Sequence, residues 1–344
     1  MLIDWLTLRL PLDALPSAPL ARLDSCLSHL TLTDSDGVLI WKQAKLDIDK
    51  LRSDSDGLFW QIQGDDKGRR WLAVGGSPAS VAGGGLNVFG TPDIQEAASL
   101  LLSVAARVLG PGLPPLRAWQ CRRIDVTENY ALPDEAAVDV ALSQLMVSDT
   151  ARRKASTRTG NTVYWSASSD RRRAKAYGKG RHLRYLARRR GLVVSDEQLQ
   201  DAARLLRLEL SLCGRWCREL SVNWWDLSEA DLTAEHRAFF EALNLGCEVA
   251  KMGTSDAVAE IIAANGITEG RARAAFMTYC AIRQNGFESV REASSRATFF
   301  RHLKYLRAAG YTDSHLRMVN VVPFPRVRLV LASPVCSWAE LRAA

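Results

Sequence analysis

Four leucines at every second position, Leu206, Leu208, Leu210 and Leu212, alternate with Arg207, Glu209 and Ser211. A period of two commits this stretch to a β-strand with one apolar and one polar face. The segment WQCRRIDVTENY does the same, with Ile124 and Val126 on one side and Arg123, Asp125 and Thr127 on the other. Two such strands specify a sheet whose apolar face needs helical cover. Its polar face carries two acids, Asp125 and Glu209, each beside an arginine.

Other extended runs are predicted at Leu2–Leu10, Gly37–Leu46, Gly57–Gln63 and Arg70–Val74, with Asp-Gly turn signals at 36–37 and 56–57. Helical spacing covers Asp93 to Leu109, between Thr91-Pro92 and Gly110-Pro111, and again Pro133–Met146. Ser195 opens a capping box, SDEQ, for a helix reaching about Ala203. From about Leu220 the pattern turns helical, with helices expected at Ser228–Leu243, Ser255–Asn265, Thr268–Arg283 and Ser295–Ala309. The expected fold is α+β. A mostly antiparallel, nuclease-like β domain with flanking helices spans 1–219, and a helical, winged helix-turn-helix-like part spans 220–344 with a β-wing at 318–331.

Charge is distributed unevenly. Residues 151–190 hold fourteen Lys and Arg and one acid, Asp170, whereas the whole chain is only +7. The remainder therefore sums to about −6. A local field this strong attracts a polyanion, and Tyr164, Trp165, Tyr177 and Tyr185 supply rings for stacking on unpaired bases. Within this segment TVYWSASSDRRRAKAYGKG reads as two extended runs joined by a Ser/Asp turn. Arg171, Arg172, Arg173, Lys175, Arg123 and Arg207 are candidate phosphate contacts. In the last predicted helix Phe299, Leu303 and Leu306 point inward, while Arg296, Arg301 and Lys304 point outward as candidate duplex readers.

Other classes are disfavoured. The apolar runs are short and broken by charge, so no membrane span is expected, and the first residues, MLIDWLTLRLPL, do not resemble a signal peptide. Seven irregularly spaced cysteines without a C-x-x-C pair fit a reducing cytoplasm. Cys213 and Cys217 have no partners with which to complete a zinc site. The glycines at 75, 76 and 83–85 lack the spacing of a nucleotide-binding loop.

Tyr177 lies between two lysines in Lys175-Ala-Tyr177-Gly-Lys179, which suits it to attack a phosphodiester with cations balancing the developing charge. Asp125 and Glu209 are hard oxygen donors suited to Mg2+ or Mn2+. The structural alternative pairs Asp125 with Arg123 and Glu209 with Arg207, and leaves Tyr177 packing at a sheet edge.

Seven blocks in order make the chain resemble the gene II/X family of filamentous-bacteriophage replication initiators. They are IDWLTLRLPL, SPASV…NVFGTPDI, RRIDVT, TVYWSASSDRRRAKAYGKG, RLLRLELSL, SRATFFRHLKYLRAAGY and NVVPFPRVRL. Residues 213–290 carry little of the likeness. The resemblance implies a rolling-circle initiator that binds a double-stranded phage origin in the bacterial host cytoplasm. It would nick one strand through a 5′-phosphotyrosine and later rejoin the displaced strand, as an endonuclease with ligase activity. The family's A-Y-x-K block falls on Ala176-Tyr177-Gly178-Lys179, which points to Tyr177 and Lys179 as catalytic, although Gly178 replaces a bulky apolar residue. Asp125 and Glu209 fall where such initiators carry sheet acids, and the His-hydrophobe-His metal motif of many of them is missing. Implied partners are double- and single-stranded origin DNA and the host replication helicase and polymerase, with an oligomer on DNA compatible. The competing class is a non-catalytic DNA-binding regulator of phage replication or transcription. A tyrosine recombinase would need an Arg…His-x-x-Arg constellation that the sequence does not contain.

Overall fold

The computed structural model describes residues 1–47, 57–65, 67–146, 155–157, 162–241, 243, 254–311 and 333–344. The strands among them are β1 (Leu2–Pro11), β2 (Leu27–Thr33), β3 (Leu39–Leu46), β4 (Phe59–Gly64), β5 (Arg70–Gly76), β6 (Gln120–Ala131), β7 (Ala155–Thr157), β8 (Val163–Trp165), β9 (Arg172–Gly178) and β10 (Leu205–Leu212). The chain forms two compact units, one of Met1–Pro133, Ala167–His236 and Ser333–Ala344, the other of Asp134–Ser166 and Arg237–Ala332. The fold is α+β, as its patterning predicts.

In the first unit an antiparallel sheet runs in the order β4-β5-β1-β6-β10-β9. The expected alternation is realised: Leu6, Leu8 and Leu10 of β1, Ile124 and Val126 of β6, and Leu206, Leu208, Leu210 and Leu212 of β10 are fully buried. The register pairs Leu6 with both Gly76 and Ile124, which puts them on one face. The helix Ile94–Leu109 covers that face, since a Cβ on Gly76 would approach Leu101. Asp93 caps this helix by accepting from the amides of Gln95 and Glu96, and Gly110 ends it at φ +94°. The cap is thus one residue past the expected Thr91-Pro92. The SDEQ capping box forms as predicted, with Ser195 and Gln198 bonding each other's backbone amides.

Several elements escape the sequence reading, two of them near the site or in the sheet region. Leu27–Thr33 pairs antiparallel with β3, since serine, histidine and threonine hide its strand pattern. Beyond Tyr177 the basic run becomes a helix, Lys179–Arg190, that begins immediately after β9. This helix lies flush against the Asp196–Ala203 helix, because a Cβ on Gly180 would come 2.5 Å from Ala203 Cα and 2.7 Å from its nitrogen. The glycine is therefore set by close approach of two backbones.

The second unit contains the β7–β8 pair and a helical cluster. Val258, Ile261, Ala272, Ala275, Ile282, Phe287, Val290, Phe299, Leu303 and Leu306 form its core. They come from helices Thr254–Asn265, Glu269–Asn285, Phe287–Ala293 and Arg296–Ala308. Phe299, Leu303 and Leu306 point inward as predicted, while Arg296, Arg301 and Lys304 are exposed. Ser295 caps that helix through the Thr298 amide. The expected wing at 318–331 lies outside the described residues.

Gly180→Ala should cost about 1–3 kcal/mol, as overpacking of a tight site does. Gly270→Ala, also helical but with no atom near its added Cβ, should change stability by at most about 1 kcal/mol. Urea midpoints of the two variants test this, and equal shifts would contradict the close approach at Gly180.

Candidate active site

The polar face of the sheet gathers side chains from four strands. Cross-strand register places Glu209 opposite Thr127 on β6 and Lys175 on β9, and Arg207 opposite Asn129 and Tyr177. Residues directly opposite share a face, so Tyr177, Lys175, Glu209 and Arg207 lie together. Asp125 joins them diagonally, opposite Ser211. On β1 the register shifts between Ile3 and Trp5, which makes Asp4 the extra residue of a bulge. A bulge re-aims its side chain, and Asp4 is turned toward Arg207.

Arg207 sits at the floor. It is fully buried, and its Nη1 donates to Asp4 Oδ1 at 3.1 Å and to the Asn87 carbonyl at 2.8 Å. Its Nε donates to Asn129 Oδ1 at 2.8 Å, and Nη2 donates to the Val88 carbonyl. The expectation that Arg207 faces DNA or pairs with Glu209 is corrected: its donors are consumed inside the protein. Lys179 is equally enclosed, with Nζ donating to Asn87 Oδ1 at 2.7 Å, so its amine faces the interior and not a solvent-borne phosphate.

Above the floor the two acids are buried under cations. Arg123 grips Asp125 bidentately, Nε to Oδ1 at 2.7 Å and Nη2 to Oδ2 at 2.5 Å. Lys175 Nζ stands 2.8 Å from Glu209 Oε1, and the Tyr177 hydroxyl donates to Glu209 Oε2 at 3.3 Å. Lys175 lies 5.2 Å from the Tyr177 ring centre, and His182 meets the ring edge-on at 5.5 Å. Side chains of Asp125 and Glu209 are 2% and 1% exposed, whereas Arg123 and Lys175 are 35% and 34% exposed. The cations are thus the partly exposed members of each pair, and the acids the buried ones.

Burial pushes the Glu209 carboxyl up to about 7, with Asp4 and Asp125 adding to the effect and Lys175 opposing it. Burial and then Glu209 raise the Tyr177 phenol, which is held protonated in this arrangement. Burial and the neighbouring Arg207 depress the Lys179 amine far below the usual lysine range. Burial, then Lys179 and Arg207, push His182 down to about 3, so it is neutral. For Asp4 burial acts upward, but Arg207, Lys179 and Lys175 outweigh it and hold the carboxyl below its ordinary value.

Among the described residues no three or more His, Cys, Asp or Glu side chains are grouped to enclose a metal. The donor chemistry still fits a hard cation. Two oxygen-bearing acids share the face, and Mg2+ binds through one or two carboxylates completed by water and substrate phosphate. Arg123 and Lys175 hold those oxygens here and would have to yield.

The remaining candidate DNA contacts are dispersed. Arg171 pairs with Glu219 at 2.6 Å, Arg172 pairs with Glu235, and Arg173 is half-buried. Arg296, Arg301 and Lys304 belong to the second unit and are described there alone. Sequence reasoning missed Asp4, Asn87, Asn129 and His182. Asp4 and Asn87 lie in the blocks IDWLTLRLPL and NVFGTPDI, where an acid in an apolar strand and an asparagine in a loop are signals without an evident role.

Glu209 predicts a pH dependence of stability. Its folded value of about 7 exceeds the ordinary 4.5, so on raising pH the unfolded chain releases this proton first. Its contribution is complete below about pH 4.5 and is lost through pH 7, on the order of 3 kcal/mol at 1.36 kcal/mol per pH unit. Glu209→Gln should therefore gain stability relative to the parent between about pH 5 and pH 8 in metal-free buffer. Urea midpoints that move in parallel would contradict this.

Residues 2–231 match the family model for the N-terminal part of the phage replication-associated gene II protein. No curated protein and no solved structure matches the chain. No helix among the described residues is long and apolar enough to cross a membrane. The match covers the strands that carry Asp4, Asp125, Tyr177 and Glu209, and the chain belongs to this family of phage replication-associated proteins.

Proposed function

We propose that this phage replication protein is a rolling-circle initiator that nicks one strand of a double-stranded origin through Tyr177 and later reseals the displaced strand. The carrying observation is the hydrogen bond from the Tyr177 hydroxyl to buried Glu209, with Lys175 beside both. Any buried tyrosine hydroxyl needs an acceptor; the partly exposed Lys175 on the same carboxylate is what a merely packing tyrosine would not need.

In this reading the Tyr177 oxygen attacks the scissile phosphorus. A bond from Oη to phosphorus forms as the bond from phosphorus to the 3′ oxygen breaks. The phenol proton passes to Glu209 Oε2, and the departing 3′ oxygen takes a proton from water. Resealing reverses this: the 3′ hydroxyl loses its proton and attacks, and Tyr177 leaves and recovers its own. Glu209 Oε2 lies within hydrogen-bond reach of the Tyr177 hydroxyl, which places it to take the proton. Lys175, released from Glu209 Oε1, neutralises charge on the phosphate.

Mg2+ or Mn2+ belongs to the proposal. Asp125 and Glu209 Oε1 would hold it, and it would supply Lewis-acid stabilisation of the phosphoryl oxygens. Arg123 and Lys175 would turn from the acids to the DNA backbone as they yield. Arg171, Arg172 and Arg173 add field near the site, and Arg296, Arg301 and Lys304 carry duplex recognition. We place the chemistry in residues 1–219 and origin reading in 220–344, with host helicase and polymerase acting on the nicked product.

Two experiments test this. A supercoiled plasmid bearing the cognate origin should be relaxed by the parent protein with Mg2+ and not by Tyr177→Phe, which should bind the origin as well as the parent. A mobility shift without relaxation by the parent would favour the DNA-binding regulator. Arg301→Ala should lose roughly 1–3 kcal/mol on cognate duplex if the residue reads a base, yet still cleave a short single-stranded oligonucleotide. Unchanged affinity would make Arg296–Ala308 a packing helix.

A further inference from the structure

The NVFG segment, Asn87–Gly90, makes contacts that the proposed chemistry leaves unused. Asn87 offers three groups to the site floor. Its side-chain oxygen accepts from Lys179 Nζ at 2.7 Å, its side-chain nitrogen donates to Asp4 Oδ1 at 3.4 Å, and its carbonyl accepts from Arg207 at 2.8 Å. The next carbonyl, Val88, accepts from Arg207 and from Asn129 Nδ2, the latter at 2.9 Å. Val88 is itself buried against Leu183 and Leu205. The loop is thus anchored by its own apolar residue as well as by polar bonds.

Lys179 is the first residue of the helix Lys179–Arg190 and lies two positions after Tyr177, with only Gly178 between. Holding Lys179 therefore fixes where β9 ends and how Tyr177 leaves the sheet. A buried amine is costly unless its hydrogen bonds are met, and Asn87 provides a short one. The glycine contact at Gly180 fixes the same junction from the other side.

We infer that Asn87 is a positioning residue for the Tyr177 nucleophile, acting through Lys179 to set the junction between β9 and the following helix. The inference rests on Tyr177 being the nucleophile. It reassigns Lys179 from a phosphate contact to the anchored partner of Asn87.

The test is a double-mutant cycle of Asn87→Ala, Lys179→Met and the double variant in the full chain. Single-turnover cleavage of a single-stranded origin oligonucleotide is measured beside its Kd. Each single variant should slow cleavage on the order of 100-fold, the cost of misplacing a reacting group by about 1 Å, with Kd unchanged. The double variant should be no slower than either single one, because both remove one connection. Multiplying losses, or a loss confined to Kd, would overturn the inference. If Asn87→Ala does not fold, Lys179→Met alone carries the test: it should cleave about 100-fold more slowly at unchanged Kd, and a parental rate would overturn the inference.

A second readout needs no cleavage. Acetic anhydride should leave Lys179 unmodified in the parent and acetylate it readily in Asn87→Ala, with the other lysines unchanged. Acetylation without a cleaving parent would mean that the nicking assignment has failed while the anchor stands. Protection of Lys179 in Asn87→Ala would overturn the anchor itself.

Discussion

The site hangs on one buried guanidinium. Arg207 ties β10 to the β1 bulge through Asp4, to β6 through Asn129, and to the 87–88 loop through two carbonyls. A buried cation is tolerated only when its donors are met and a counter-charge is near. Meeting that demand brings four separate stretches of sequence to one point. Tyr177 faces Arg207 across the β9–β10 register, so its address follows from the same residue.

Over that floor the charges are arranged to be exchanged. Asp125 and Glu209 are fixed and buried, while their partners Arg123 and Lys175 reach partly into solvent. In the proposed function an arriving phosphate would compete for those cations, and a divalent ion would compete for the carboxylates they leave. The polar face would thus meet DNA by exchanging the partners of its long cationic side chains, around acids buried on central strands.

Much of this was legible from period-two alternation. Leu206 to Leu212 and Ile124 to Val126 define the buried face, and the opposite face follows from strand geometry, which brings Asp125, Glu209 and Tyr177 within reach. The Arg123–Asp125 pair was among the pairings the sequence offers and it forms, but the partners of Glu209 and Arg207 were not legible. Nothing in the sequence tells whether Arg207 faces water or the interior, since that depends on Asp4, Asn87 and Asn129 arriving from distant positions. The β1 bulge, which needs a register shift against β6, was equally hidden. The helix after Gly178 was masked because residues 181–190 stand out by their charge and not by an apolar period, while its packing signal is Gly180, meaningful only once Ala203 is beside it.

The central claim is that one side chain on this face becomes joined to DNA. Peptide mapping by mass spectrometry of the adduct trapped on single-stranded origin DNA addresses it directly. The expected result is a nucleotide remnant on the Tyr177 oxygen and none on Tyr185 or Tyr164. A remnant on another residue, or no adduct under conditions where the origin is cleaved, would contradict it.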